Sequence, residues 1–296
     1  MDKETEDMLS LSRCLLLATG LALATTQLSL AGEPARRLLS IGGSVTEIVF
    51  ALGAEDRLVG VDSTSFHPRE ALELPNVGYL RQLSAEPVLA LAPDLIIVEA
   101  DAGPPAALDQ LRDAGVTVLS VSDDPSIAGV LSKIEQVAAA LGLEDRGAEL
   151  ARQVSDSHRQ VSAQVARAET HPRVMFVLSA GKGAPLVAGR GTSATAIIEM
   201  AGGVNPIDGF PDYRPMTPEA GVNAQPDVIL VTHRTVNLVG GVDKLKDLPG
   251  LGGTPAAENG AIVVMDGLLL LGFGPRTPDA VRMLAAHLHP GLDLGE

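Results

Sequence analysis

From residue 37 onward, short apolar runs alternate with amphipathic ones. "RLLSIGG" (37–43) reads as a buried strand ending in glycines, and "SVTEIVFALGA" (44–54) as a helix capped by Ser44, with Glu47 three residues on. "RLVGVD" (57–62) predicts a second strand, "SAEPVLALAP" (84–93) a helix stopped by Pro93, and "DLIIVEA" (94–100) a third strand. "PAALDQLRDAG" and "VTVLSVSD" add a helix and a strand. Such β-α-β alternation predicts a mostly parallel sheet covered on both faces.

Residues 126–170 break this rhythm. They keep a helical period throughout, contain no proline and give no strand signal, and Gly142 is the natural kink. A helix of that length would reach about 65 Å, which suits a strut between two lobes.

Beyond it the pattern returns. "SAEPVLALAPDLIIV" (84–98) aligns with "TPEAGVNAQPDVILV" (217–231) at a constant offset of 133, pairing Glu86 with Glu219, Pro93 with Pro226 and Asp94 with Asp227. Upstream, "SVTEIVFALGA" resembles "SATAIIEMAGG" (193–203). The chain closes on a strand, a glycine-rich loop and an amphipathic helix in "AIVVMDGLLLLGFGPRTPDAVRMLAAHL". The predicted fold is α/β: two similar α/β lobes joined by a long helical strut, with a ligand cleft between them. The expected divisions are a signal peptide over 1–31, a first lobe over 32–125, the inter-lobe helix over 126–170 and a second lobe over 171–296.

The first 31 residues are set apart by composition. Cys14 to Ala24 is an apolar run of secretory length behind Arg13, with small-residue cleavage sites after Ala24 or Ala31. Asp2, Glu4, Glu6 and Asp7 are out of place in an export signal, which makes Met8 an alternative start. The expectation is export to the periplasm and cleavage. Four acids and two bases leave with residues 1–31, taking the formal net charge from −15 to −13. The single cysteine leaves too, so no disulfide is expected in the mature chain. So acidic a protein does not suit nucleic acid as a partner.

Candidate chemistry is sparse. There is no G-x-S-x-G elbow, no phosphate-binding loop and no G-x-G-x-x-G fingerprint. The six histidines, at 67, 158, 171, 233, 287 and 289, include no pair with metal-ligand spacing and a nearby carboxylate. Two repeated lobes behind an export signal favour a binding protein over an enzyme. Aromatic residues make up 2% of the chain, with two tyrosines and no tryptophan. An aromatic in a predicted loop, as Tyr79 is in "NVGYLRQLSAEP", therefore stands out. On residue type alone a tyrosine is most often structural, its ring packed and its hydroxyl bonded to backbone.

"RLLSIGGSVTEIVFALGAEDRLVGVD", "GYLRQLSAEPVLALAPDLIIV" and "MDGLLLLGFGPRTP" together resemble the haem-binding periplasmic proteins of ABC importers, over residues 37 to 288. The wider group binds vitamin B12 and ferric siderophores on the same rigid-helix fold. The resemblance implies that haem is the transported ligand and that Tyr79 ligates its iron as a phenolate. Tyrosinate is an established haem ligand, and because the free phenol ionises only near pH ~10 it needs a cation's help. Arg81 is placed to give that help or to pair with a propionate. Tyr213, in the second-lobe loop "GFPDYRPMT", falls one residue out of register with Tyr79 and either lines the pocket or packs structurally. Arg234 either reaches the ligand or is a solvated loop arginine. His67 and Arg276 are weaker candidates for ligand contact.

Glu86 and Glu219 read at minimum as helix-start carboxylates. The resemblance adds a role in docking to a twofold inner-membrane permease dimer. The resemblance also implies a monomeric carrier served upstream by an outer-membrane haem receptor system. The alternatives are a cobalamin or ferric-siderophore carrier of the same fold, and an α/β enzyme with a nonstandard site.

Overall fold

A computed structural model describes residues 36–181 and 183–295. The expected signal peptide, with Cys14 and both cleavage sites, lies outside the described residues.

Four parallel strands form the first sheet: β1 (Leu38–Ile41), β2 (Leu58–Val61), β3 (Leu95–Glu99) and β4 (Thr117–Val121), in the order β2-β1-β3-β4. Helices α1 (Gly43–Ala51), α2 (Ala85–Ala90) and α3 (Pro105–Asp113) lie between them in sequence. Side chains alternate across this sheet as a doubly covered strand requires. Leu38, Leu95 and Ile97 point into one apolar cluster, and Leu39, Ile41, Ile96 and Val98 into another.

The second sheet carries β5 (Val174–Gly181), β6 (Gly183–Ala188), β7 (Tyr213–Pro215), β8 (Val228–Thr232) and β9 (Ile262–Met265), in the order β7-β6-β5-β8-β9. It is parallel only in part, against the expectation of a mostly parallel sheet. β5 runs parallel to β8, and β8 to β9, but β6 and β7 continue from β5 as antiparallel edge strands. Here too one face (Val174, Phe176, Leu230) joins the same apolar cluster as Leu38 and Ile97, while Met175, Val177, Ile229 and Val231 face a cluster of their own. One buried cluster thus runs through both lobes.

The expected 45-residue helix is two helices. The first, α4 (Ile127–Leu141), is capped at its start by the Ser126 hydroxyl and ends at Gly142, which adopts a left-handed conformation at φ 67°. The second, α5 (Glu144–Val165), follows at once. Gly142 terminates the first helix rather than kinking a single one, because a left-handed C-terminal residue turns the chain out of the helix. The two helices pack so closely that a Cβ on Gly147 would stand 2.3 Å from that of Ala138. The span between lobes falls to α5 alone, about 33 Å long. At its first-lobe end Arg146 donates to the Leu52 carbonyl at 2.8 Å; at its far end Val165 packs beside Gly202 of the second lobe.

The internal repeat holds at the level of individual torsions. β3 and β8 coincide under the 133-residue offset, as do α2 and α7 (Pro218–Ala224), the helix after α6 (Ser193–Met200). Asp94 accepts from the Arg36 and Arg37 amides, and Asp227 from the Arg173 amide at 2.8 Å. The offset also pairs the non-glycine residues Ala92 and Gln225, with φ of 46° and 43°.

The capping box expected at Ser44 is absent. Helix α1 starts at Gly43 with no side-chain cap. The Ser44 hydroxyl donates instead to Glu99, and Glu47 is buried against Arg276. Helix α9 (Pro255–Glu258) precedes β9, and between β9 and the final helix the chain adds a short α10 (Gly267–Leu271) where only a glycine-rich loop was expected. The last helix is α11 (Thr277–Leu288).

Candidate functional site

The Tyr79 loop is built to hold one aromatic out from the first lobe. The Asn76 side chain accepts from the Gly78 amide at 2.9 Å, a local turn this residue type favours. Gly78, at φ 98°, then takes a backbone angle that a side chain would oppose. Val77, Leu80 and Leu83 are buried, pinning the loop to the sheet, while Tyr79 between them is 38% exposed. Both flanks are clamped: the Ser63 amide donates to the Gly78 carbonyl at 2.8 Å, and the Gly103 amide to the Leu80 carbonyl at 2.9 Å.

Arg81 folds back over this tyrosine. One guanidinium nitrogen, Nη1, donates to the Tyr79 hydroxyl, and Nη2 donates to Asp101 Oδ2. Its carbon lies 5.7 Å from the Tyr79 ring centroid, so the cation faces the ring as well as the oxygen. Asp101 stands just beyond the C-terminal end of β3, where α/β folds place their ligands. Sequence reasoning missed it; its signal was the repeat, which sets Asp101 against Arg234 beyond the end of β8.

The loop after β2 forms the neighbouring wall. Buried Asp62 accepts from the Gly42 and Thr64 amides, both at 3.0 Å, and from the Ser65 hydroxyl at 2.8 Å. That fixes the segment carrying Phe66, which is 39% exposed, and half-buried His67.

In the second lobe, Tyr213 is half-buried at the edge strand, with its ring edge-on to Phe176 at 6.4 Å between centroids. Burial pushes its phenol above the ordinary tyrosine range, against the opposing pull of the Ala194 amide, Thr192 and Arg81. Its packing makes it the poorer phenolate donor. Arg234 is exposed near the start of helix α8 (His233–Val239), with no hydrogen-bond or ion-pair partner among the described residues. A cavity of about 240 Å³ is lined by Pro125, Arg190, Thr192 and Glu199. Glu86 and Glu219 occupy equivalent first-turn positions, both exposed.

Arg276 takes another role from the one its loop suggested. It forms a two-pronged ion pair with buried Glu47, tying the start of α11 to α1. Burial raises the Glu47 carboxyl above the ordinary range despite this partner. Nearby, Lys133 is 1% exposed and reaches from α4 to the Ser44 hydroxyl at 2.8 Å and the Phe273 carbonyl at 3.3 Å, with Glu99 at 3.8 Å. Burial lowers the Lys133 ammonium and raises the Glu99 carboxyl; for each, the opposite charge pulls back. Among the described residues no three His, Cys, Asp or Glu side chains gather as a metal site.

Two lobes around a shared core, with polar groups presented just beyond strand ends, suit a ligand-binding protein. Residues 38–268 match the family described as periplasmic binding protein, and the chain belongs to that family. It is similar to the solved apo form of the periplasmic haem-binding protein RhuT from Roseiflexus sp. RS-1. That likeness has 41% identity and a TM-score of 0.84, and covers 86% of this chain and 98% of the other. It is 26% identical to an ABC transporter substrate-binding lipoprotein, YvrC, of Bacillus subtilis, over 87% of this chain and 81% of the relative. A vitamin B12-binding protein of Vibrio parahaemolyticus is also 26% identical, over 73% of this chain and 78% of its own length.

Proposed function

We propose that this protein captures ferric haem in the periplasm, binding its iron through the Tyr79 phenolate, and delivers it to an inner-membrane ABC importer. The carrying observation is the Tyr79–Arg81 pair, an exposed phenol with a guanidinium already on its oxygen. The higher identity to a haem-binding protein than to the B12-binding relative supports this ligand. Iron is the main agent that turns the phenol into phenolate, and the fixed cation of Arg81 stabilises the charge that forms. Arg234, which has no hydrogen-bond or ion-pair partner among the described residues, is suited to a propionate.

The test is to titrate the mature protein with hemin and, separately, with cyanocobalamin. A saturable hemin complex with a high-spin tyrosinate charge-transfer band is expected, with no cobalamin binding. Cobalamin binding without a hemin spectrum would establish the B12 reading instead.

Delivery rests on the second-lobe copy of the Glu86 helix. Three residues after each glutamate the repeat exposes an apolar side chain, Leu89 at 37% and Val222 at 39%. The two lobes thus offer matching acid-plus-apolar patches, suited to two copies of one receptor subunit. Replacing Glu86 and Glu219 together by glutamine is expected to leave hemin affinity unchanged and to slow importer-dependent uptake roughly tenfold, through a weaker encounter. Uptake at the wild-type rate would remove the docking role.

A further inference from the structure

We propose that Asp101 is a positioning residue that holds the Arg81 guanidinium on the Tyr79 oxygen and so sets the strength of the bond this tyrosine makes to iron; the proposal rests on the haem reading above. The geometry is a three-member chain. Arg81 presents a planar fork whose two nitrogens are divided between the Tyr79 hydroxyl and Asp101 Oδ2. The side chains of Arg81 and Asp101 are 53% and 30% exposed, so the pair adds little to folding stability. What it provides is orientation. A solvated arginine samples many rotamers, and one anchored through Nη2 keeps Nη1 on the phenol oxygen.

Three observations single out Asp101 for this task. Its turn is fastened to the tyrosine loop: the Ala102 amide donates to the Glu99 carbonyl at 2.9 Å, and the Gly103 amide to the Leu80 carbonyl at 2.9 Å. Asp101 is therefore locked to the backbone immediately after Tyr79. Its second oxygen, Oδ1, is buried with no hydrogen-bond partner among the described residues, so Arg81 is the carboxylate's only side-chain anchor. The third is the broken repeat. The offset that superposes β3 on β8 puts Arg234 where Asp101 stands and Asp212 where Tyr79 stands. The acid at the strand end occurs on the lobe that carries the tyrosine–arginine pair, and a base stands there on the other.

Asp101 also limits what Arg81 can do. With Nη1 on the tyrosine and Nη2 on Asp101, Arg81 is oriented toward the phenol oxygen, and Arg234, which has no partner among the described residues, is the better placed cation for the ligand's own charge.

The experiment uses the mature protein loaded with hemin and compares wild type with Asp101→Ala, Asp101→Asn, Tyr79→Phe and Arg81→Ala. Two quantities are read: the charge-transfer band, and the rate of hemin release to excess apomyoglobin. Asp101→Ala is expected to shift the band and speed release about tenfold. Asp101→Asn, whose amide oxygen can still accept from Nη2, should fall between it and wild type. In the Arg81→Ala background the Asp101 change should add nothing, since a residue acting through Arg81 is silent without it. A wild-type band and rate in Asp101→Ala, while Tyr79→Phe alters both, would overturn the positioning role. So would full additivity with Arg81→Ala. If Tyr79→Phe itself leaves both readouts unchanged, the haem-ligation reading fails, and the proposal with it.

Discussion

Tyr79→Phe is expected to abolish the tyrosinate charge-transfer band and to weaken hemin binding by at least two decades, about 2.8 kcal/mol. The phenylalanine keeps the ring on which Arg81 rests and removes only the oxygen, so the loss reports ligation rather than packing. Tyr79 is exposed and its loop is held by Val77, Leu80 and Leu83, so the variant should fold as the wild type does. Arg81→Ala should give an intermediate loss, because iron still ionises the phenol without the neighbouring cation. Hemin absorbance titrations of the three proteins decide the matter. Undiminished affinity with an unchanged spectrum in Tyr79→Phe would move the ligand to another residue.

The second large effect concerns stability. Lys133→Met removes the cation from a site where Glu99 stays buried, with Ser44 as its hydrogen-bond donor. Breaking a buried pair from one side costs about 3–5 kcal/mol. The Glu99 carboxyl already sits above its ordinary range through burial, and losing Lys133 should raise it further. Between the ordinary carboxylate range and that elevated folded value, the folded protein holds a proton that the unfolded chain has released. Stability therefore falls as pH rises through this window, and is retained below it. Denaturant unfolding of Lys133→Met should accordingly show a larger deficit at pH 8 than at pH 5.5. Equal deficits at the two pH values would show that Glu99 does not carry the charge cost.

Much of the fold was legible because it is local. The period of "DLIIVEA" marks β3, and a fixed offset finds its copy in β8 with the proline and aspartate that precede each. The exposed tyrosine could be singled out because aromatics are so scarce in this chain. What escaped depends on contacts distant in sequence. Ser44 and Glu47 have the spacing of a capping box, but Glu99 and Arg276 claim them from 55 and 229 residues away. Gly142 looked like a kink because helical periodicity resumes directly after it, and periodicity does not record a left-handed torsion. The antiparallel edge of the second sheet has no counterpart in the first, so the repeat could not announce it. Asp101 drew no notice in the sequence, since its significance lies in which side chain bends towards it.

The buried cluster shared by both sheets, stitched by Lys133 and by the Glu47–Arg276 pair, also bears on how a receptor could tell a full carrier from an empty one. A carrier that snaps shut announces its load through its changed outline. Here the two halves share one interior, and parting or closing them would tear apolar contacts and leave charges without partners. The spacing between the Glu86 and Glu219 patches should thus be nearly the same with or without cargo. On the proposed function, a transporter would meet the same outer face either way, and the signal that a load has arrived would have to come from the ligand itself.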